Sequence, residues 1–195
     1  MSNAEAVEKL RASLGTKVQA VGEFRGETTV RIDLSAVQEA AKLLKEIGYR
    51  TLLDLTSVDH LGEEPRFEIV YHFFAAASGE LLRLKGRVTG EEPTAPSLAG
   101  VYATANWQER EAFDMMGIRF AGHPDLRRIL MWEGYPFFPL RKDFPLEGKD
   151  SDAGEMAFSR RAPLEGGPFV TRPAAESGER EPRAHPAEEL PEETL

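Results

Sequence analysis

Across Ser35 the apolar period of the chain changes, and that change restricts the possible folds more than any other feature. Before it, Thr28, Val30, Ile32 and Leu34 alternate with Thr29, Arg31 and Asp33, the two-residue repeat of a half-buried strand. After it, Val37, Ala40, Ala41, Leu44 and Ile47 fall on one stripe of a helix over 36–47,. Ser35 with Gln38 three residues on predicts a capping box, and Gly48 predicts the stop. The same reading extends in both directions. Ala6, Val7, Leu10 and Leu14 mark a helix over 3–14, ended by Gly15. A short strand near 17–21 and a turn at Gly22 and Gly26 lead into the strand of 28–34. Three more strands are predicted over 51–60, 66–74 and 80–88. Helix, two strands, helix and three strands, joined by hairpin-length connections, predict an α+β fold: a mixed or antiparallel sheet with helices on one face. No glycine-rich phosphate fingerprint follows any strand, which argues against a dinucleotide-binding fold.

Composition narrows the chemistry. The 195 residues hold no cysteine, so disulfides, thiolate nucleophiles and thiolate-held iron–sulfur clusters are excluded. The formal net charge of -9 repels nucleic acid and anionic membrane surfaces. The N-terminus lacks the apolar core of a signal peptide. The longest near-apolar run, 69–77, is interrupted by His72 and falls far short of the ~18 residues of a membrane span. These features predict a cytoplasmic chain that reaches a membrane only through partners. Residues 151–195 hold 6 of the 13 prolines, with 10 acidic and 5 basic side chains. A segment of that composition cannot bury enough apolar surface to fold alone. The expected organisation is therefore a domain over 3–130, an extended ordered arm over 131–149, and an acidic Pro-rich tail over 150–195 that is disordered or ordered only on a partner.

The chemically dense stretch is 106–130, NWQEREAFDMMGIRFAGHPDLRRIL. Asn106 and Glu109 read as a capping box, and Gly117 as the helix stop. Ile118 and Phe120 suit a short strand, and Gly122 turns the chain into His123-Pro124-Asp125. Glu109, Glu111, Asp114 and His123 contain the donors of a metal or acid–base site, but no second histidine stands at a metal-binding spacing. Arg110 and Asp114, four residues apart, suit an ion pair. Asp114 lies near the unfavourable end of the helix dipole, which calls for a cation from Arg110, Arg127 or Arg128. The stretch can be a metal site, a solvated face or a charged docking face. Arg127-Arg128 and Arg141-Lys142 suit clamps on carboxylates, and Trp107 and Trp132 suit core or interface anchors.

These residues resemble the signature of the 30 kDa subunit family of respiratory complex I, the C-type subunits of NADH–quinone oxidoreductase. The signature is carried by Glu109-Arg110-Glu111, Asp114, Met115-Met116, His123, Arg127 and Ile129-Leu130. Gly117, the run Gly122-His123-Pro124-Asp125-Leu126-Arg127-Arg128, and Pro139-Leu140-Arg141-Lys142-Asp143-Phe144-Pro145 resemble the family as well. The resemblance covers about residues 3–147 and implies a fold of the predicted order. It implies a peripheral subunit on the cytoplasmic side of the cell membrane, in a translocase that passes electrons from NADH to quinone. The D-type subunit of that complex is the chief expected partner, with the B-type and I-type subunits beside it, and neither nucleic acid nor a membrane span is expected. The chain itself would hold no cofactor, metal or catalytic residue; flavin and iron–sulfur clusters belong to other subunits. Glu109, Arg110, Glu111, Asp114, Gly117, Gly122, His123, Pro124, Asp125, Arg127, Arg128, Arg141, Lys142 and Asp143 are the expected docking residues. The same signature suits an equivalent subunit of a membrane-bound hydrogenase or a ferredoxin-linked quinone reductase. A free-standing metal-dependent enzyme is the third reading.

Overall fold

A computed structural model describes residues 2–89, 92–146 and 148. The chain up to Phe144 forms one compact unit and the chain from Pro145 belongs to another. The expected tail over 150–195 lies outside the described residues.

Helix α1 (Asn3–Leu14) starts on a capping box: Ser2 Oγ accepts the Glu5 N–H at 3.3 Å, and the Glu5 carboxylate accepts the Ser2 N–H at 2.9 Å. Its buried stripe is Ala6, Val7, Leu10 and Leu14. Strands β1 (Val18–Phe24) and β2 (Glu27–Ile32) form an antiparallel hairpin. The turn falls on Arg25 and Gly26, both at positive φ, the conformation that matches strand twist. Gly22, expected in that turn, instead pairs with Thr29 inside the hairpin.

Helix α2 (Val37–Glu46) buries Val37, Ala40, Ala41 and Leu44. The expected capping box at Ser35 does not form. Asp33 sits two residues earlier and its carboxylate takes the Ser35 N–H at 2.9 Å, nucleating a 3-10 turn over Leu34–Ala36. Gln38 is thereby free to donate to the Ser97 carbonyl at 2.8 Å.

Strands β3 (Thr51–Asp59), β4 (Phe67–Ala75) and β5 (Glu80–Val88) complete a five-stranded sheet in the order β1-β2-β5-β4-β3. β2 and β5 run parallel and every other neighbouring pair is antiparallel, so the sheet is mixed. One face supplies Val30, Ile32, Phe67, Ile69, Tyr71, Phe73, Leu82, Leu84 and Val88 to the same core as the buried stripes of the helices. The opposite face carries charge. Glu68 is buried there beneath Lys85 at 3.1 Å, with Arg31 and Arg87 each at 3.7 Å. The aliphatic stems of such cations cover apolar surface while their heads stay wet. That explains why β4 reads as nearly continuous apolar sequence: both of its faces are covered.

After β5 come β6 (Thr94–Pro96), helix α3 (Ala105–Met116) and β7 (Arg119–Ala121), with β6 and β7 paired in parallel. The start of α3 lies against the outer edge of β3. Thr104 Oγ1 donates to the Leu52 carbonyl at 3.0 Å and Gln108 Nε2 to the Leu53 carbonyl at 2.9 Å. This occupies carbonyls that an open edge would offer to another chain. Leu44 is fully buried between layers, so Leu44→Ala should destabilise the chain by about 2–5 kcal/mol, read as a lower urea midpoint with an unchanged slope.

Candidate functional site

Helix α3 places most of the distinctive charges inside the protein. It opens one residue before Asn106, and its N-cap Thr104 makes no side-chain capping bond because its hydroxyl serves Leu52. The expected Asn106–Glu109 capping box is therefore absent. The Glu109 carboxylate points into the interior, fully buried, and accepts from Ser97 Oγ at 2.6 Å and the Leu98 N–H at 2.5 Å. Burial pushes this carboxyl above its usual range; the bonds from Ser97 and Leu98, and His123 beside it, oppose that shift. His123 Nε2 lies 4.0 Å from Glu109 Oε2. His123 Nδ1 accepts the Asp125 N–H at 3.0 Å, so the ring proton sits on Nε2 and is donated to the Asn106 carbonyl at 3.0 Å,.

Asp114 organises the other side of the helix. Its Oδ2 accepts three successive backbone amides, from Ile129 at 3.0 Å, Leu130 at 2.7 Å and Met131 at 2.8 Å. Its Oδ1 takes Arg128 Nη1 at 2.5 Å. Burial acts to raise this carboxyl, but the three amides and Arg128 outweigh it and hold Asp114 below the usual carboxylate range,. The cation that the helix dipole calls for is thus Arg128. The expected Arg110–Asp114 ion pair is replaced by a longer reach: Arg110 donates to the carbonyls of Arg127 and Arg128, both at 3.1 Å. Arg128 also donates to the carbonyls of Tyr135 at 2.5 Å and Phe137 at 3.1 Å.

The segment that follows, from Leu126 to Phe144, has no helix or strand, and side chains hold it in place. Its aromatic rings touch in series, Trp132 on Tyr135 at 4.6 Å and Tyr135 on Phe137 at 5.6 Å between centroids. Arg141 Nε donates to the Met116 carbonyl at 2.7 Å, satisfying the end of α3, and its guanidinium lies 4.4 Å from the Phe138 ring centre. Gly117 makes this closure possible. It ends α3 at φ +75°, and a β-carbon there would come within 2.7 Å of Phe138. Farther along, the Lys142 N–H and the Arg66 guanidinium meet on the buried Asp59 carboxylate, with Arg66 donating twice at 2.7 Å. Arg66 also reaches Asp143 at 2.9 Å.

Of the fourteen residues singled out from sequence, Glu109, Arg110, Asp114, His123, Arg128 and Arg141 bond within this chain through their side chains. Asp143 joins the Arg66 network, and Lys142 contributes its amide. Asp125 and Arg127 pair with each other at 2.9 Å on the surface, where such a pair contributes little. Gly122 and Pro124 are exposed in the turn, and Glu111 is exposed on α3. Glu109 and Asp114 point to opposite sides of the helix, and among the described residues no three His, Asp or Glu side chains converge. Asp59, Arg66 and Ser97 escaped the sequence reading. The only sequence signal near them is that the strand over 51–60 starts apolar and turns polar toward Asp59.

Residues 30–150, which include α3 and everything it holds, match the family described as "Respiratory-chain NADH dehydrogenase, 30 Kd subunit". The chain belongs to this family. It is 46% identical over 151 residues to the C-type subunit of NADH-quinone oxidoreductase from Geotalea uraniireducens (strain Rf4), across 77% of this chain and 92% of that protein. It is 42% identical over 162 residues to the counterpart of the same name from Roseiflexus sp. (strain RS-1), across 82% and 90% of the two chains. Among solved structures it is similar to the trypsin-resistant fragment (1-134) of Nqo5, with a TM-score of 0.58 and 26% identity, over 65% of this chain and all of that one. A chain of the membrane-bound sulfane sulfur reductase, an archaeal respiratory membrane complex, shares the fold at a TM-score of 0.64 and 21% identity, over 74% and 87% of the two chains.

Within the family fold, Asp114 joins helix to arm, and its ionisation has a definite sign. Its folded value lies below the unfolded one of about 3.9, so the stability it contributes is complete above that value and is lost as pH falls through the folded one,. Glu109 has the opposite sign: its raised value favours the fold at low pH, and this is lost as pH rises through the folded value,. Asp114→Ala, which strands Arg128, should cost about 3–5 kcal/mol at pH 7. In urea titrations repeated across pH, the gap between wild type and variant should narrow below about pH 4.

Proposed function

We propose that this chain is a structural and assembly subunit of the peripheral arm of proton-translocating NADH–quinone oxidoreductase, seated on the quinone-reducing module. The D-type subunit is its chief neighbour, with the B-type and I-type subunits adjoining. One observation carries the reading. Arg110, Asp114 and Arg128 close on the chain's own Leu126–Phe144 segment, and Glu109 closes on Ser97 and Leu98, so what they produce is a fixed shape and not a reactive centre. The chain contributes that shape, and electrons travel through flavin and iron–sulfur clusters held elsewhere in the complex. A sequence without cysteine has no thiolate to hold a cluster,. Among the described residues no helix is long and apolar enough to cross a membrane; the proposed seat is peripheral, reached through partners, on the cytoplasmic side.

Arg128→Ala tests this reading in cells whose only copy of the chain carries the change. The amount of assembled complex in native gels and the NADH–quinone reductase activity of membranes should fall in the same proportion. Turnover per assembled complex should be unchanged. Full assembly with abolished turnover would place this chain in the chemistry and overturn the proposal. A second reading keeps the same role in a different parent, a membrane-bound hydrogenase or ferredoxin-linked quinone reductase, since the fold itself is not confined to one kind of complex: it also occurs in a chain of an archaeal respiratory membrane complex. Chains co-purifying from native membranes separate the two: flavin- and NADH-binding subunits for the first, nickel–iron subunits for the second.

A further inference from the structure

Helix α3 exposes two residues only, Trp107 and Glu111, one turn apart on the same stripe. Every other charge on the helix is engaged inside the chain: Glu109 by Ser97 and Leu98, Arg110 by the carbonyls of 127 and 128, Asp114 by Arg128 and three amides. Of the charges on this helix, Glu111 alone has neither a hydrogen bond nor an ion pair among the described residues. Its surroundings are mostly apolar. It lines a small groove with Leu55, Ala112, Met115, Met116 and Leu140, and with the hydroxyl-bearing Thr56 and Ser57. Leu140 is 57% exposed at one end of this surface, and Leu53, whose carbonyl Gln108 holds, is 51% exposed beside α3. Trp107 is 62% exposed and is fixed from behind, its ring 5.1 Å from the Arg110 guanidinium that the 127–128 carbonyls hold.

We propose that this stripe is a docking surface for a neighbouring protein that presents an arginine to Glu111, with apolar side chains against Trp107, Leu53 and Leu140. The choice of occupant follows from charge. A carboxylate among mostly apolar groups, with no hydrogen bond from the Thr56 or Ser57 beside it, loses its water on association, and a cation is the partner that best replaces that water,. Arginine meets a carboxylate with two parallel donors and stacks on an indole, and the stripe offers both. The aromatic already rests on the held Arg110 guanidinium, and an indole with two side-chain torsions has little entropy to lose when it is covered. The geometry also separates two roles along one helix: the inward residues hold the arm, and the outward pair is left for a partner. This inference rests on the reading of the chain as a subunit of a larger complex and adds which face is used and which side chain meets it.

The experiment uses the complete chain in native membranes. A photo-crosslinking amino acid at position 107 should, on irradiation, join the chain to a second protein of the complex, and the peptide it captures should contain arginine. Glu111→Arg should reduce the co-purifying partner at least tenfold, and Glu111→Gln should reduce it less. The melting temperature of each purified variant is measured alongside; because Glu111 is exposed and unpaired, it should match wild type. Adducts only within the chain, to a second copy of it or to lipid, would overturn the proposal, as would undiminished recovery of the partner with Glu111→Arg. Those results would leave the assembly reading intact as long as the complex still forms. Recovery of the chain without any partner in wild-type membranes would instead remove the assembly reading itself.

Discussion

The Asp114 carboxylate is the junction on which the second half of the structure depends. A buried carboxylate is unfavourable unless its lone pairs are filled, and here they are filled by three consecutive amides and a guanidinium. The benefit is mutual. The segment after β7 has no helix or strand to satisfy its backbone, and an unpaired buried amide costs as much as a lost hydrogen bond. Asp114 gives amides 129–131 an acceptor, and Arg110, Arg128 and Arg141 give carbonyls 116, 127, 128, 135 and 137 their donors. Two side chains of the helix, Asp114 and Arg110, and two of the segment itself, Arg128 and Arg141, thus supply the hydrogen-bonding partners that regular secondary structure would otherwise provide.

Charge is distributed over this fold by depth. The open face of the sheet pairs cations and acids across strands, Lys85 with Glu68 and Arg83 with Glu27, and Arg87 with Glu63 of the β3–β4 connection. Most of those groups keep water, and each pair contributes little by itself; together they cover Glu68 and Val70 on a face that would otherwise be greasy. Around α3 the pairs lie deeper, and breaking one would strand its partner. The two buried acids of the helix are perturbed in opposite directions for a plain reason. Asp114 meets a full positive charge and three amide dipoles, whereas Glu109 meets two neutral donors and an imidazole whose proton is committed to the Asn106 carbonyl.

The fold was legible wherever burial has a period. The helix over 3–14, the alternating strand from 28, the helix from 36 and the three later strands all follow from apolar spacing, and the structure places each within a few residues. What failed was local hydrogen-bond chemistry. Ser35 and Asn106 have the composition of helix caps, yet Asp33 competes for the first and Thr104 precedes the second. Spacing alone also suggests that Arg110 and Asp114 pair along the helix. A guanidinium can equally reach bare carbonyls of a segment seventeen residues away, and the sequence contains no record that those carbonyls lack partners. The parallel pairing of β2 with β5 was within the expected mixed sheet, but which strands take it depends on α2 crossing between layers, a long-range fact.

The signature residues show most plainly where reading a sequence stops. Their charges suggest a face turned toward other proteins, because isolated charges on a short helix are most readily solvated or paired at a surface. Inside this fold Glu109, Arg110 and Asp114 face inward, the last two because a segment without secondary structure needs donors and acceptors more than solvent does. Burial inverts the significance of the motif: a residue that pairs fully at home has no valence left for a neighbour, and one that pairs with nothing does. By that criterion Arg128 and Asp114 belong to the architecture, and Glu111, chemically indistinguishable from Glu109 in sequence, belongs to the surface. Two glutamates separated by one arginine differ only in the direction the helix turns them, and about 200° of rotation over two residues places one against Ser97 and the other in water.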